Sequence, residues 1–424
     1  MRMRVRPDRV LGRWYRVQRE QWLRPAELEH LQWSRFMRVL RHAAAHSPFY
    51  RRKFRSVGLT PEDIRDPADL ALIPVTSREE LRSSEDFIVD GCRKESLYHS
   101  FSSGSTGQSV KTYFGPDAWL LGRFLLKLRA RIACGVRPWD RLALFQAGAL
   151  ENSRLRRYLL RQVSFSIHEP LEDVVRRLRR MAPTVLYGFP NHFRRLAELP
   201  RAGILPKRIF TSGEMMTAET RRAIEAHFDA PVYDVYGCTE LKEIAWECPE
   251  RRGHHINSDW LLVESLPATA RGDPEGMMVI TSLYNYAMPL IRYRLGDTGR
   301  LLNGLCACGR GLPLMDPRFG RSMDYFCLAD GRLVSPYALS SELERLHTVR
   351  QFQIVQSAYD RVVVNVVPDH AFGAQARDTI RAALGALLPG VVLDIREVDS
   401  IPRETSGKYR KVLSLLANAR APNP

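Results

Sequence analysis

The residues from Phe101 to Phe114 read FSSGSTGQSVKTYF. Ser102, Ser103, Gly104, Ser105, Thr106 and Gly107 follow one another without apolar periodicity, and Lys111 closes the run. A stretch of this kind holds no core. Glycine lets the backbone approach a ligand closely, and successive N–H groups with small hydroxyls can cradle an anion, with Lys111 as a point charge at the edge. A polyphosphate is the natural guest. The run lacks the Gly-Lys-Ser/Thr ending of the common nucleotide loop, and a flexible serine–glycine surface loop is the competing reading.

A second chemical cluster lies in ECPERRGHHIN and LCACGRG. Cys248, Cys306 and Cys308 with His255 (or His254) make a donor set for a tetrahedral structural zinc ion. Buried thiols without metal are the alternative. Cys92, Cys134, Cys238 and Cys327 read as packing or neutral positions, and seven mostly isolated cysteines do not form a disulfide framework.

These residues must be positioned by the elements around them. Residues 11 to about 56 read as helical, and PVTSREEL (74–81) starts a short helix with Thr76 or Ser77 as its cap. After the glycine run the pattern alternates. Helices are expected over 117–134, 171–181, 191–199 and 217–228, with strands over 141–148, 184–190, 207–214 and 232–240. Such alternation implies parallel strands joined by right-handed helical crossovers, with ligands bound beyond the strands' carboxyl ends. The turns GFPNH, TSGEMM and YGCTE follow strand ends and should gather on one edge. From 260 to 302 short strands alone suggest a small β subdomain. The last hundred or so residues read as a small α+β domain, with helices over 337–346 and 374–388 and strands over 351–357, 361–367 and 391–398.

At 424 residues two domains of unequal size are expected, 1–320 and 321–424. Lys+Arg minus Asp+Glu is 64 − 47 = +17. Arginines spread along the whole chain supply this excess, which argues against a concentrated nucleic-acid-binding face. No apolar run approaches the roughly 20 residues of a membrane span, and the N-terminal stretch lacks the apolar core of a signal peptide. A cytoplasmic protein is expected.

Five polar islands stand in order: SSGSTGQSVK (102–111), TSGE (211–214), YGCTE (236–240), YRLGD (293–297) and IPRETSGK (401–408). Together with HAAAHSPFYRRKF, AMPLIRYRLGD and CACGRGLP, the chain resembles the adenylate-forming superfamily along essentially its whole length. Within it, the resemblance is to the phenylacetate–CoA ligase group and its CapK-like branch. It implies an α/β fold: a large N-terminal domain of parallel sheets flanked by helices with a small β subdomain, and a small mobile α+β C-terminal domain.

The resemblance also assigns roles. The glycine run would hold the β- and γ-phosphates of ATP, with Ser103, Ser105, Thr106 and Lys111 as donors. Glu240 would bind Mg²⁺, Thr239 would touch phosphate, and Tyr236, beside Gly237, would lie against the adenine. Gly213 and Glu214 border the adenine, Asp297 takes the ribose hydroxyls, and Arg321 contacts ribose or phosphate at the hinge. Lys408, on a loop of the mobile domain, would supply charge to the transition state. The hinge departs from the group's GR-x-D-D: Met323 stands where an acid is usual, and Asp324 remains. The Cys/His set also occurs in this group. Phe145, Gln146, Tyr187, Phe189, Asn191 and His192 are candidates for the acyl pocket, whose aromatics suit an aromatic or apolar acid.

The implied activity is ATP- and Mg²⁺-dependent activation of a small carboxylic acid to an acyl-adenylate. The acyl group would then pass to CoA, an amine, a hydroxyl or a carrier-protein thiol. An adenylyltransferase whose product is itself adenylylated, and an inactive nucleotide- or polyanion-binding homologue, are the alternatives. A homodimer is compatible with either.

Overall fold

The computed structural model describes residues 7–101, 110–146, 161–201, 203–267, 276–317, 325–330, 332–334, 336–346, 348–402 and 409–416. The chain divides into two compact units. One is Met1–Arg137, Tyr233–Leu295 and Gly299–Pro317; the other is Pro138–Val232, Gly296–Thr298 and Arg318–Pro424. The expected boundary after residue 320 falls outside the described residues.

The helical N-terminal region is three helices: α1 (Pro7–Glu20), α2 (Pro25–His46) and α3 (Pro48–Ser56). Proline stands in the first turn of α2 and α3, where its missing N–H would have had no partner anyway. Val17, Phe36, Val39, Leu40 and Tyr50 on these helices are buried in the first unit's core. The short helix expected after PVTSREEL is a 3₁₀ segment, Glu80–Phe87. Its N-cap position is Glu79, without a side-chain cap; Ser77 and Glu80 pair reciprocally at its start, the Glu80 N–H donating to Ser77 Oγ at 3.1 Å and the Ser77 N–H to Glu80 Oε2 at 2.7 Å.

Strands β1 (Tyr98–Phe101) and β2 (Lys111–Phe114) pair antiparallel, with Phe101 opposite Lys111. The glycine run therefore leaves and returns at neighbouring points. The single helix expected over 117–134 is interrupted. Helix α4 (Pro116–Leu120) passes into a π-helical turn, Leu121–Leu125, before α5 (Leu126–Ala133).

In the second unit the alternation reads β3 (Leu142–Gln146), β4 (Gln162–Ser166), α6 (Leu171–Met181), β5 (Val185–Gly188), α7 (Pro190–Ala197), β6 (Arg208–Ser212) and α8 (Ala218–Phe228). Only β4 was not expected. These strands are parallel, in the order β6-β5-β3-β4. Their carboxyl ends lie on one edge, which is where the loops GFPNH and TSGE emerge. Apolar side chains such as Ala143, Leu186, Phe193 and Ile224 fill the space between this sheet and its helices.

The first unit resumes with β7 (Val232–Cys238), β8 (Lys242–Glu247), β9 (His254–Ile256), β10 (Leu261–Pro267), β11 (Gly276–Ser282), β12 (Tyr293–Leu302) and β13 (Leu314–Asp316). Their order is β10-β11-β12-β13-β9-β8-β7. The β-rich region thus begins earlier than residue 260, and its strands are not all short: β12 runs for ten residues. The six residues of β8 are all buried, so the strand lacks the polar alternation by which a half-buried strand is recognised.

The C-terminal region of the second unit contains α9 (Pro336–Glu344), β14 (Val349–Ala358), β15 (Arg361–Pro368), α10 (Ala374–Leu387), β16 (Val392–Glu397) and β17 (Val412–Ser414). The four strands form one sheet in the order β16-β15-β14-β17. Buried Glu344 joins this region to α8: its carboxylate accepts from the hydroxyls of Thr217 and Thr220 and pairs with Lys411. No helix among the described residues is long and apolar enough to cross a membrane.

Candidate active site

β6 ends in a turn at Gly213, whose φ of +85° favours glycine. The next residue, Glu214, receives two main-chain N–H groups. Asn191 N–H donates to Oε2 at 3.1 Å, and Tyr409 N–H donates to Oε1 at 3.0 Å. Asn191 is buried in the first turn of α7, directly after β5. Three segments distant in sequence therefore meet on one carboxylate: the β5 loop, the β6 loop and the residue that follows Lys408. Lys408 itself, Arg321 and the loop residues Ser102, Ser103, Gly104, Ser105, Thr106 and Gly107 lie outside the described residues.

At the end of β7, Tyr236, Gly237 and Thr239 are half-buried and Glu240 is 3% exposed. Gly237 sits where β7 and β8 shift register; a Cβ there would come within 2.4 Å of the Lys242 carbonyl oxygen. Arg78 Nη1 lies 3.3 Å from Glu240 Oε1, so this buried carboxylate has a cation beside it. Lys242 Nζ donates to the Thr239 carbonyl at 2.8 Å and to Ser100 Oγ at 2.6 Å. Burial pulls the Lys242 ammonium down to about 7. Neither Arg78 nor Lys242 was singled out from the sequence. Arg78 stands 162 residues from its partner, and lysine two positions after a glutamate is an ordinary surface pattern.

Lys111, on β2, holds its ammonium 4.8 Å from the centre of the Tyr113 ring and 5.4 Å from that of Phe101. Asp297 is half-buried on β12, next to Gly296 with φ +85°.

Of the acyl-pocket candidates, Phe145 is a core residue, stacked on Phe165 with ring centroids 5.2 Å apart and edge-on to Phe193. Phe189 packs against the same core. His192 is fully buried with its ring 4.8 Å from that of Phe145. Tyr187 is buried, and Gln146, the last residue of β3, is half-buried.

Cys248, His255, Cys306 and Cys308 converge in the first unit, with their four donor atoms within 4.8 Å of one another. Cys248 Sγ is 3.6 Å from Cys306 Sγ, and Cys308 Sγ is 3.3 Å from His255 Nε2. Donors on a tetrahedral zinc ion with bonds of about 2.0–2.3 Å stand roughly 3.3–3.8 Å apart; these two pairs are at that separation, and the donor types suit the ion. The outer ring nitrogen of His255 faces the Leu312 carbonyl at 3.4 Å, the contact that commonly orients a ligating imidazole. Burial holds His255 down to about 4 and pushes the Cys248 thiol up to about 12. The choice left open between two histidines is resolved by strand geometry. Neighbours on β9 point to opposite faces, and His254 turns to Asp234 at 3.2 Å.

The family model for the CapK C-terminal domain matches residues 326–414. The phenylacetate-coenzyme A ligase of Pseudomonas putida is 30% identical over 303 residues, covering 66% of this chain and 67% of that protein. The enzyme of the same name from Thermus thermophilus is 29% identical, covering 92% and 97%. Among solved structures, 2-hydroxyisobutyryl-CoA ligase in the postadenylation state with 2-HIB-AMP has a TM-score of 0.77 at 26% identity, covering 93% of this chain and 91% of that one.

Proposed function

The chain belongs to the phenylacetate–coenzyme A ligase family, and from that premise we propose that it is an ATP-dependent carboxylate-activating ligase acting through an acyl-adenylate. In the first half-reaction a carboxylate oxygen attacks the α-phosphorus of ATP. The bond to the bridging oxygen breaks, and pyrophosphate leaves. In the second, the sulfur of coenzyme A attacks the acyl carbon, a thioester forms, and AMP departs.

The observation that most supports this reading is the carboxylate of Glu214 shared by Asn191 and Tyr409. It puts the chain next to Lys408 against the turn assigned to the adenine. We assign to the Lys408 ammonium the role of offsetting charge developing on the α-phosphate, a contribution realised in the transition state. Glu240 is the one carboxylate of the YGCTE turn. It suits Mg²⁺, which is commonly held by one or two carboxylates together with phosphate oxygens. When bound, the cation neutralises the departing pyrophosphate. Lys111 and the hydroxyls of the glycine run hold the outer phosphates, and Asp297 accepts from the ribose hydroxyls. Zinc held by Cys248, His255, Cys306 and Cys308 is structural, because four protein donors leave no open position.

For the acid we infer an aromatic or apolar carboxylate. Tyr187 at the end of β5 and the apolar surroundings of His192 support this, and the curated relatives are named for phenylacetate. The test is ATP–pyrophosphate exchange across a panel of carboxylic acids, with product mass spectrometry in the presence of coenzyme A. Exchange with an arylacetic or other apolar acid and a thioester product are expected. No exchange with any acid, or AMP retained on the acceptor, overturns the reading.

A further inference from the structure

We propose that Lys242 is a positioning residue that ties both flanks of the glycine run to the turn carrying Glu240. This rests on the reading of those segments as the nucleotide site. Lys242 is 8% exposed. Its Nζ donates to Ser100 Oγ on β1 at 2.6 Å and to the Thr239 carbonyl at 2.8 Å. It also lies 4.2 Å from the centre of the Phe114 ring on β2 and 5.1 Å from that of Trp119. One ammonium therefore touches the strand that enters the run, the strand that leaves it, and the residue before the acid.

The surroundings are shaped to admit this side chain. Lys242 has φ +62°, a left-handed conformation that disfavours any residue with a Cβ. The helix facing it opens into the π turn at Leu121–Leu125. A Cβ on Gly122 there would come within 2.8 Å of Lys242 Cγ and 2.9 Å of Tyr284 Oη. π turns of this kind are frequent at functional sites. A methionine would fill the same slot without desolvating a charge, so packing alone does not call for lysine. The hydrogen bonds do. An amine keeps two N–H donors even when neutral, which is the number that Ser100 and Thr239 accept. Lys242 reaches ATP through these two partners: Ser100 sets where the glycine run starts, and the Thr239 carbonyl fixes the peptide that leads into Glu240.

The test uses the full-length protein and compares calorimetric affinities for MgATP and AMP, since AMP lacks the outer phosphates that the glycine run and the cation would hold. Three variants are made: Lys242→Met, Lys242→Gly, which suits the positive φ, and Ser100→Ala. Both Lys242 variants should bind MgATP at least tenfold more weakly and AMP within about twofold of wild type. Ser100→Ala should show a smaller loss of the same kind. Lys242→Met should melt no lower than wild type. Wild-type MgATP affinity in either folded Lys242 variant, or an equal loss for AMP, overturns the role given to Lys242. Failure of the wild-type protein to bind MgATP would instead remove the nucleotide site itself, and this inference with it.

Discussion

Tyr409 donates its main-chain N–H to Oε1 of Glu214 at 3.0 Å, across 195 residues of sequence. The other oxygen of that carboxylate is taken by Asn191. Both acceptors are used, so the side chain joins the C-terminal segment to the sheet edge of the second unit. An amide can accept at only one of the two positions, and losing such a bond to a charged group costs about 1.5–3 kcal/mol. Glu214→Gln should therefore lower the melting temperature by a few degrees and, if the contact also serves adenylation, the exchange rate by roughly ten- to a hundredfold. A variant that exchanges at the wild-type rate would detach this contact from adenylation.

Lys408→Ala should largely abolish ATP–pyrophosphate exchange while leaving MgATP binding mostly intact, because its charge is needed in the transition state and not for ground-state affinity. Rates measured beside calorimetric affinity decide this. Substantial surviving exchange would refute the assigned role.

Purified protein should carry about one zinc ion per chain by elemental analysis, given the four converging donors. Cys306→Ser and Cys308→Ser should each lower that content and the melting temperature together, since a structural ion contributes to folding. A metal-free preparation of unchanged stability would exclude the zinc.

Lys242 gives stability a pH dependence of definite sign. Its pKa falls from an ordinary 10.5 to about 7 in the folded protein, chiefly through burial, with Arg123 acting the same way. Between these values the unfolded chain binds the extra proton, so stability rises with pH across that window and is lowest below it. At about 1.4 kcal/mol per pKa unit the total is on the order of a few kcal/mol. Urea unfolding from pH 6.5 to 10 should show wild type gaining on Lys242→Met as pH rises. Parallel curves would show that the ammonium is not desolvated in solution.

Arg129 and Asp259, both with fully buried side chains, pair at 2.6 Å, and Arg129 also donates to Asn257. Replacing Arg129 with Met would leave the Asp259 charge buried without its main partner, which typically costs about 3–5 kcal/mol. Denaturant unfolding should show a loss of that size.

The order of the polar islands, the α/β alternation and the Cys/His donor set were legible in the residues themselves, because turns, periodicity and ligand chemistry are written in local residue types. The strand β8 and the π turn were not. The first is buried on every residue and has no alternation to read; the second sits inside a segment whose apolar spacing fits a continuous helix. Whether His254 or His255 faces the cysteines follows from where β9 enters the sheet, a matter of register. Phe145 and Phe189, read as pocket residues, pack in or against the core, and their composition alone fits either place. Arg78 beside Glu240, Lys242 between Ser100 and Thr239, and Tyr409 on Glu214 exist only once the chain is packed. The sequence named the chemical groups. Which of them share a hydrogen bond was decided by long-range strand pairing and burial, because a charged side chain taken out of water must accept whichever partner the fold brings within reach.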